Sequence, residues 1–227
     1  MLYLALIPVF ILGLYIYLRD SNREPLFSVI KAFFGGWLVV VLVSIVHYVF
    51  PTYVFDSVPL LRAFVSAALV EELCKFIVLY WIVWKSQDFD EPFDGIVYAA
   101  FVSLGFAFVE DLMYIMESSD PFGTGLARAF TAVPAHFFFG VIMGFHFGLA
   151  RFVPLAYRVM RLSLAVILPV LFHGLYDFML MQAEWLNQNG AEQVAALFIV
   201  GFYIFDFILW RVAVKRIKKM KNLSIPE

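Results

Sequence analysis

Apolar residues run along this chain in stretches long enough to cross a lipid bilayer, and short clusters of breakers and charge separate them. Taking roughly 20 apolar residues per crossing, the pattern predicts spans near 1–18, 29–50, 59–84, 95–116, 130–150, 161–182 and 193–213. The intervening breaks, Arg19 to Pro25, Pro51 to Pro59, Lys85 to Asp94, Glu117 to Gly125, Arg151 to Arg158 and Glu184 to Glu192, collect Pro, Gly and charge. The fold class expected is all-α, a polytopic transmembrane bundle of about seven spans. No linker or internal repeat divides it, so residues 1–227 read as a single integral domain. Met1 to Leu18 lacks a positive leading segment and a small-residue cleavage site, and reads as a retained first span.

Composition agrees with a lipid solvent: 63% of the 227 residues are hydrophobic, 15% are charged, and the mean hydropathy is +0.89. A net charge of −2 gives no basic field for nucleic acid, and the single Cys74 excludes an intrachain disulfide framework. Orientation follows from Lys and Arg in alternate connections. One set holds Arg19, Arg23, Lys31, Lys85, Arg151, Arg158, Arg161, Arg211, Lys215, Arg216, Lys218, Lys219 and Lys221; the opposite set holds only Arg62 and Arg128. Positive charge stays on the cytoplasmic side, so the N-terminus is expected outside and the C-terminus inside.

The chemistry lies in the ionisable residues inside the apolar runs. The third span contains Glu71-Glu72-Leu73-Cys74-Lys75, the fourth Glu110-Asp111, the fifth His136 and the sixth His173-Gly174-Leu175-Tyr176-Asp177. Each charge would cost about 2.5–3.5 kcal/mol at the centre of a lipid-facing helix, so these groups must turn inward and find partners. Lys75, four residues from Glu71 and three from Glu72, can neutralise one of them on the same helix face. At 1.5 Å rise per residue, Glu110 and His136 fall roughly 9 Å, His173 roughly 13 Å and Glu71 roughly 18 Å below the outer ends of their spans. His136, Gly140, Gly144 and Gly148 recur every four residues, a stripe along which another helix can approach closely.

Carboxylates crowded in a low dielectric cannot all ionise, and such a group suits a general base near neutral pH. Glu71 or Glu72, with Glu110 or a histidine sharing the proton, could activate water toward a peptide carbonyl. A histidine and Asp177 would orient the water or stabilise the oxyanion. There is no HExxH pair and no GxSxG elbow. Two Glu and two His could alternatively hold Zn²⁺, Mn²⁺ or Fe²⁺; the leading expectation is catalysis without a cofactor.

In these segments the chain resembles the PrsW family, membrane proteases that start the destruction of anti-sigma factors. More distantly it is similar to the CAAX prenyl proteases and bacteriocin-processing enzymes of the same glutamic intramembrane group. The resemblance rests on Glu71-Glu72-x-x-Lys75, the run from Asp94-Gly95 through Gly105-Phe106 to Glu110, the His136 segment, and His173-Gly174-Leu175-Tyr176-Asp177-Phe178. It implies catalytic spans within 59–182, Glu71 and Glu72 as the catalytic pair with Glu71 the base, and Glu110 helping to hold the water. It gives His173 and Asp177 an oxyanion role. It also implies a single-span membrane protein substrate cut near the outer face of a bacterial or archaeal cell membrane. Asp111 departs from the pattern, standing where Asn is expected.

Other residues read as structural. His47 and Tyr48 fall at an interface, His146 is about 80° around the helix from His136, Cys74 reads as a buried thiol, and Lys215 to Lys221 as an anchor to anionic headgroups. Two other functions use the same features: a proton-coupled transporter with the acids as a relay, and a non-catalytic scaffold that captures a transmembrane helix on the glycine stripe.

Overall fold

The computed structural model describes residues 1–55 and 57–224, and among these it is helical with no strand. The long helices are α1 (Leu2–Arg19), α2 (Leu26–Val49), α5 (Pro92–Glu117), α7 (Ala132–Phe152), α8 (Leu155–Gln188) and α9 (Glu192–Ser224). Six segments are long and apolar enough to cross a membrane: these six helices, with the short α6 (Pro121–Phe130) joined to α7. The seventh expected span is also helical, but not of one kind. A short α3 (Pro59–Leu61) leads into π-helical geometry over Arg62–Leu69, and α4 (Val70–Val83) follows directly. A π turn opens the backbone ladder by one residue and is frequent at functional sites.

Burial sorts the helices into a centre and a surround. The α5 segment is 72% buried and the α6–α7 segment 89%, whereas α1, α2, α8 and α9 are only 22–28% buried. Phe10, Phe27, Leu155 and Leu197 are exposed on the surrounding helices, as lipid-facing side chains are when no bilayer surrounds them.

The central α5–α7 contact is set by glycine. A Cβ on Gly95 would lie 2.5 Å from the Gly148 Cα, and one on Gly144 would collide with the Gly95 carbonyl. The stripe read from the sequence is thus covered by α5 of the same chain. That removes the scaffold reading, which needed the stripe free for a foreign helix.

Helix ends follow local chemistry. Pro92 and Pro121 open their helices, where a missing N–H costs nothing. Asp120 caps α6 by accepting from the Gly123 N–H at 3.0 Å. The break expected from Glu117 to Gly125 is therefore shorter than its Pro and Gly content suggested, because Pro121 begins α6 inside it. At the other end of the bundle Arg151 donates to the carbonyls of Trp84, Phe89 and Ser86, and Tyr17 donates to the Glu24 carbonyl. The ends of α1, α4 and α7 and the starts of α2 and α5 meet there.

Candidate active site

The π turn delivers Glu71 and Glu72 into the bundle at the start of α4. Glu72 is fully buried, and its Oε1 accepts from Lys75 Nζ at 2.7 Å and lies 2.9 Å from His173 Nδ1 on α8. Glu71 Oε2 lies 3.5 Å from Lys75 Nζ and 3.9 Å from His173 Nε2, with no hydrogen-bond partner of its own. The Lys75 ammonium also sits 4.1 Å from the centre of the Phe106 ring, a cation–π contact that helps hold a buried charge.

One tautomer follows from these contacts. Lys75 Nζ is 3.2 Å from His136 Nδ1, and an ammonium only donates, so Nδ1 is the acceptor. The imidazole proton is then on Nε2, which donates to Glu110 Oε2 at 2.9 Å. His173 Nε2, on the opposite ring edge from Glu72, faces Asp177 Oδ2 at 3.3 Å. Its ring stacks on Phe139 with centroids 4.8 Å apart, which fixes the plane.

All seven residues expected from the sequence, Glu71, Glu72, Lys75, Glu110, His136, His173 and Asp177, therefore form one connected cluster. Two further residues join it. Arg128 at the end of α6 donates from Nη2 to Glu110 Oε2 at 2.7 Å and from Nε to Asp111 Oδ1 at 2.5 Å. Its guanidinium lies 3.9 Å from the centre of the Tyr114 ring. The acid standing in place of the expected Asn is thus neutralised by a fork that also grips Glu110. In the sequence Arg128 looked like an ordinary flanking charge; the available signal was that the Glu110-Asp111 pair has no Lys or Arg on its own span, and that Arg128 lies just before the span that follows.

A cavity of about 330 Å³ opens onto this cluster, lined by Glu71, Glu110, Arg128, His136, His173 and Asp177 among others. At that size it has room for several water molecules. Glu72 and Lys75 do not line it; they stand behind Glu71 and His173. Of the residues set aside, His47 Nε2 lies 2.9 Å from the Ser66 carbonyl in the π segment, and Cys74 and His146 are buried.

A model of the family described as PrsW family intramembrane metalloprotease matches residues 24–209. The chain belongs to the PrsW protease family. It is 37% identical over 217 residues to Protease PrsW of Geobacillus kaustophilus, covering 94% of this chain and 88% of that one. To Protease PrsW of Oceanobacillus iheyensis it is 33% identical, covering 96% and 94%, and to that of Bacillus subtilis 33%, covering 93% and 91%. No solved structure matches it. As a PrsW protease it is a peptide-bond hydrolase, a multi-pass protein of a bacterial cell membrane whose substrate is itself a membrane protein.

The PrsW description implies a metal. Glu71, Glu72, His136 and His173 each offer one ligand atom, all within 4.8 Å of one another. Buried oxygens of Glu71 and Glu72 lack hydrogen-bond partners. Two carboxylates and two imidazoles are a donor set that divalent zinc, manganese or iron accept. The residues fit such an ion in type, with the Lys75 ammonium as its competitor for three of the four donors.

Proposed function

We propose that this protein hydrolyses a peptide bond of a membrane-anchored, anti-sigma-factor-like substrate near the outer face of the membrane, with Glu71 as the base that activates water. The observation carrying this reading is the division of labour between the paired acids. Glu72 Oε1 is hydrogen-bonded to Lys75 and His173 behind the cavity wall, while Glu71 lines the cavity and meets the same two residues only at 3.5 and 3.9 Å. A water in the cavity gives its proton to Glu71 as its oxygen attacks the carbonyl carbon. The Glu71 carboxyl then returns that proton to the departing amine nitrogen as the C–N bond breaks.

His173 Nε2 faces the same space with Asp177 beside it, and supplies a donor to the developing oxyanion. The Arg128–Glu110–His136 chain holds the opposite wall in one protonation pattern and leaves Glu110 oriented toward the water. Should a metal be bound, Glu71, Glu72, His136 and His173 would hold it, and it would supply Lewis-acid polarisation of water or carbonyl.

Co-expression with single-span candidate substrates tests this. Wild type should release a shortened fragment, and Glu71→Gln should not, at equal membrane levels of both proteins. Cleavage by the purified wild type that persists in strong chelator supports the glutamate route without metal. Loss in chelator with recovery on added Zn²⁺ assigns the four donors to an ion instead. Cleavage by Glu71→Gln at the wild-type rate would end the proposal.

A further inference from the structure

At the end of the bundle away from the cavity, a second set of acids is buried without a counter-charge. Asp20 follows α1 and is 4% exposed; Asp94 lies in the first turn of α5 and is fully buried; Glu91 caps that helix. One oxygen from each lies within 4.8 Å of the others. Glu24 is also buried there and accepts from the Tyr98 hydroxyl.

Helix capping explains part of this arrangement. Asp94 Oδ2 accepts from the backbone N–H groups of Asp90 at 2.9 Å and Glu91 at 2.7 Å, and acids are favoured at a helix start. Capping does not explain why Asp20 is folded in on top of it. Nor does it satisfy Asp20 Oδ2, Glu91 Oε1 and Asp94 Oδ1, buried oxygens that meet no N–H or hydroxyl donor among the described residues and can be joined to the neighbouring carboxyl groups only through a shared proton or a cation.

Among the described residues no ion pair reaches Asp20, Glu24, Glu91 or Asp94. The adjacent cations turn elsewhere, Arg19 over the Tyr15 ring and Arg23 over the Tyr17 ring. Like charges brought together in this way call for a cation.

We propose that Asp20, Glu91 and Asp94 form a binding site for a hard divalent cation, Mg²⁺ or Ca²⁺, that ties the α1–α2 linker to the start of α5. The donors are all carboxylate oxygens, which suit these ions rather than the softer metals that imidazole favours. The site is separate from the catalytic cluster. Asp94 and Glu110 are sixteen residues apart on one helix, about 24 Å at 1.5 Å per residue. Because α5 carries Glu110 and packs on α7, which carries His136, the ion would anchor the base of the pair that frames the cavity.

The test uses the full-length protein in nanodiscs, stripped with chelator and titrated with Mn²⁺ followed by electron paramagnetic resonance. One Mn²⁺ beyond any held by the catalytic donors should bind and be displaced by Mg²⁺ or Ca²⁺, and saturating Mg²⁺ or Ca²⁺ should raise the unfolding temperature by roughly 5 °C. Both effects should survive in Glu71→Gln, which disables the catalytic donor set, and vanish in Asp20→Asn and in Glu91→Gln. Glu91 is the less buried position, so Glu91→Gln keeps the test open if Asp20→Asn fails to fold. Equal Mn²⁺ binding by Glu91→Gln and wild type would overturn the proposal. So would a wild-type protein that binds no ion and gains stability only as the pH falls, since protons alone would then hold the carboxylates together.

Discussion

Arg128 shows most plainly how single residues hold the site together. Its guanidinium satisfies Glu110 and Asp111 at once, and Asp111 Oδ2 is already without a partner. Removing one member of a buried ion pair leaves the other charge uncompensated, typically costing 3–5 kcal/mol. Because Arg128 is partly exposed, Arg128→Ala should cost roughly 3 kcal/mol in a detergent unfolding titration. Arg128→Lys should recover only part of it, since a point charge cannot fork to two carboxylates. Adding Asp111→Asn should relieve Arg128→Ala, because it removes one of the two stranded charges. No improvement in that double variant would mean that the Asp111 pair is not what Arg128 stabilises. Glu71 and Glu72 differ at the same scale: adjacent and identical in the sequence, both reach Lys75 and His173, but only Glu72 is hydrogen-bonded to them and only Glu71 lines the cavity.

Among the elements, α5 and α7 set the precision of the site, because Glu110 and His136 belong to different helices that only glycine lets come so close. Gly144→Leu should force the pair apart and lengthen the 2.9 Å contact between Glu110 and His136. Its cleavage rate should fall at least tenfold while the protein still inserts; wild-type cleavage by a well-folded Gly144→Leu would show that the spacing is not needed. The element scale also marks how far the sequence could be read. Hydropathy located the spans, and the cost of intramembrane charge singled out all seven clustered residues, because both are local properties. The break at Glu117 to Gly125 misled, since Pro121 and Gly123 are breakers in mid-helix but suit a helix start. The π geometry before Glu71 has no signature in composition. Asp20, Glu24, Glu91 and Asp94 fall in the predicted breaks, and only packing decides which acids of a break fold inward.

Across the whole molecule, the cavity and its ionisable cluster lie at one end and the acids Asp20, Glu91 and Asp94 at the other, with the α5–α7 pair between them. The Lys and Arg distribution assigns the end that carries Asp20, Glu91 and Asp94 to the cytoplasm. A fluorescent protein fused after Glu227 should therefore fold and fluoresce, and a label that cannot cross the membrane should reach Ser119→Cys, at an exposed position, from outside in the Cys74→Ala background. The opposite pattern would invert the topology and move cleavage to the inner face. Two carboxylates with unequal surroundings, one hydrogen-bonded behind the wall and one lining the cavity, remain the centre of the chemistry. The most direct measurement is the single-turnover cleavage rate of a purified single-span substrate by Glu71→Gln against wild type in the same nanodiscs. A positioned general base is worth roughly 10²–10⁴ in rate, so a loss of that size is expected, with substrate binding retained. A Glu71→Gln enzyme that cuts within a factor of two of wild type would contradict the account.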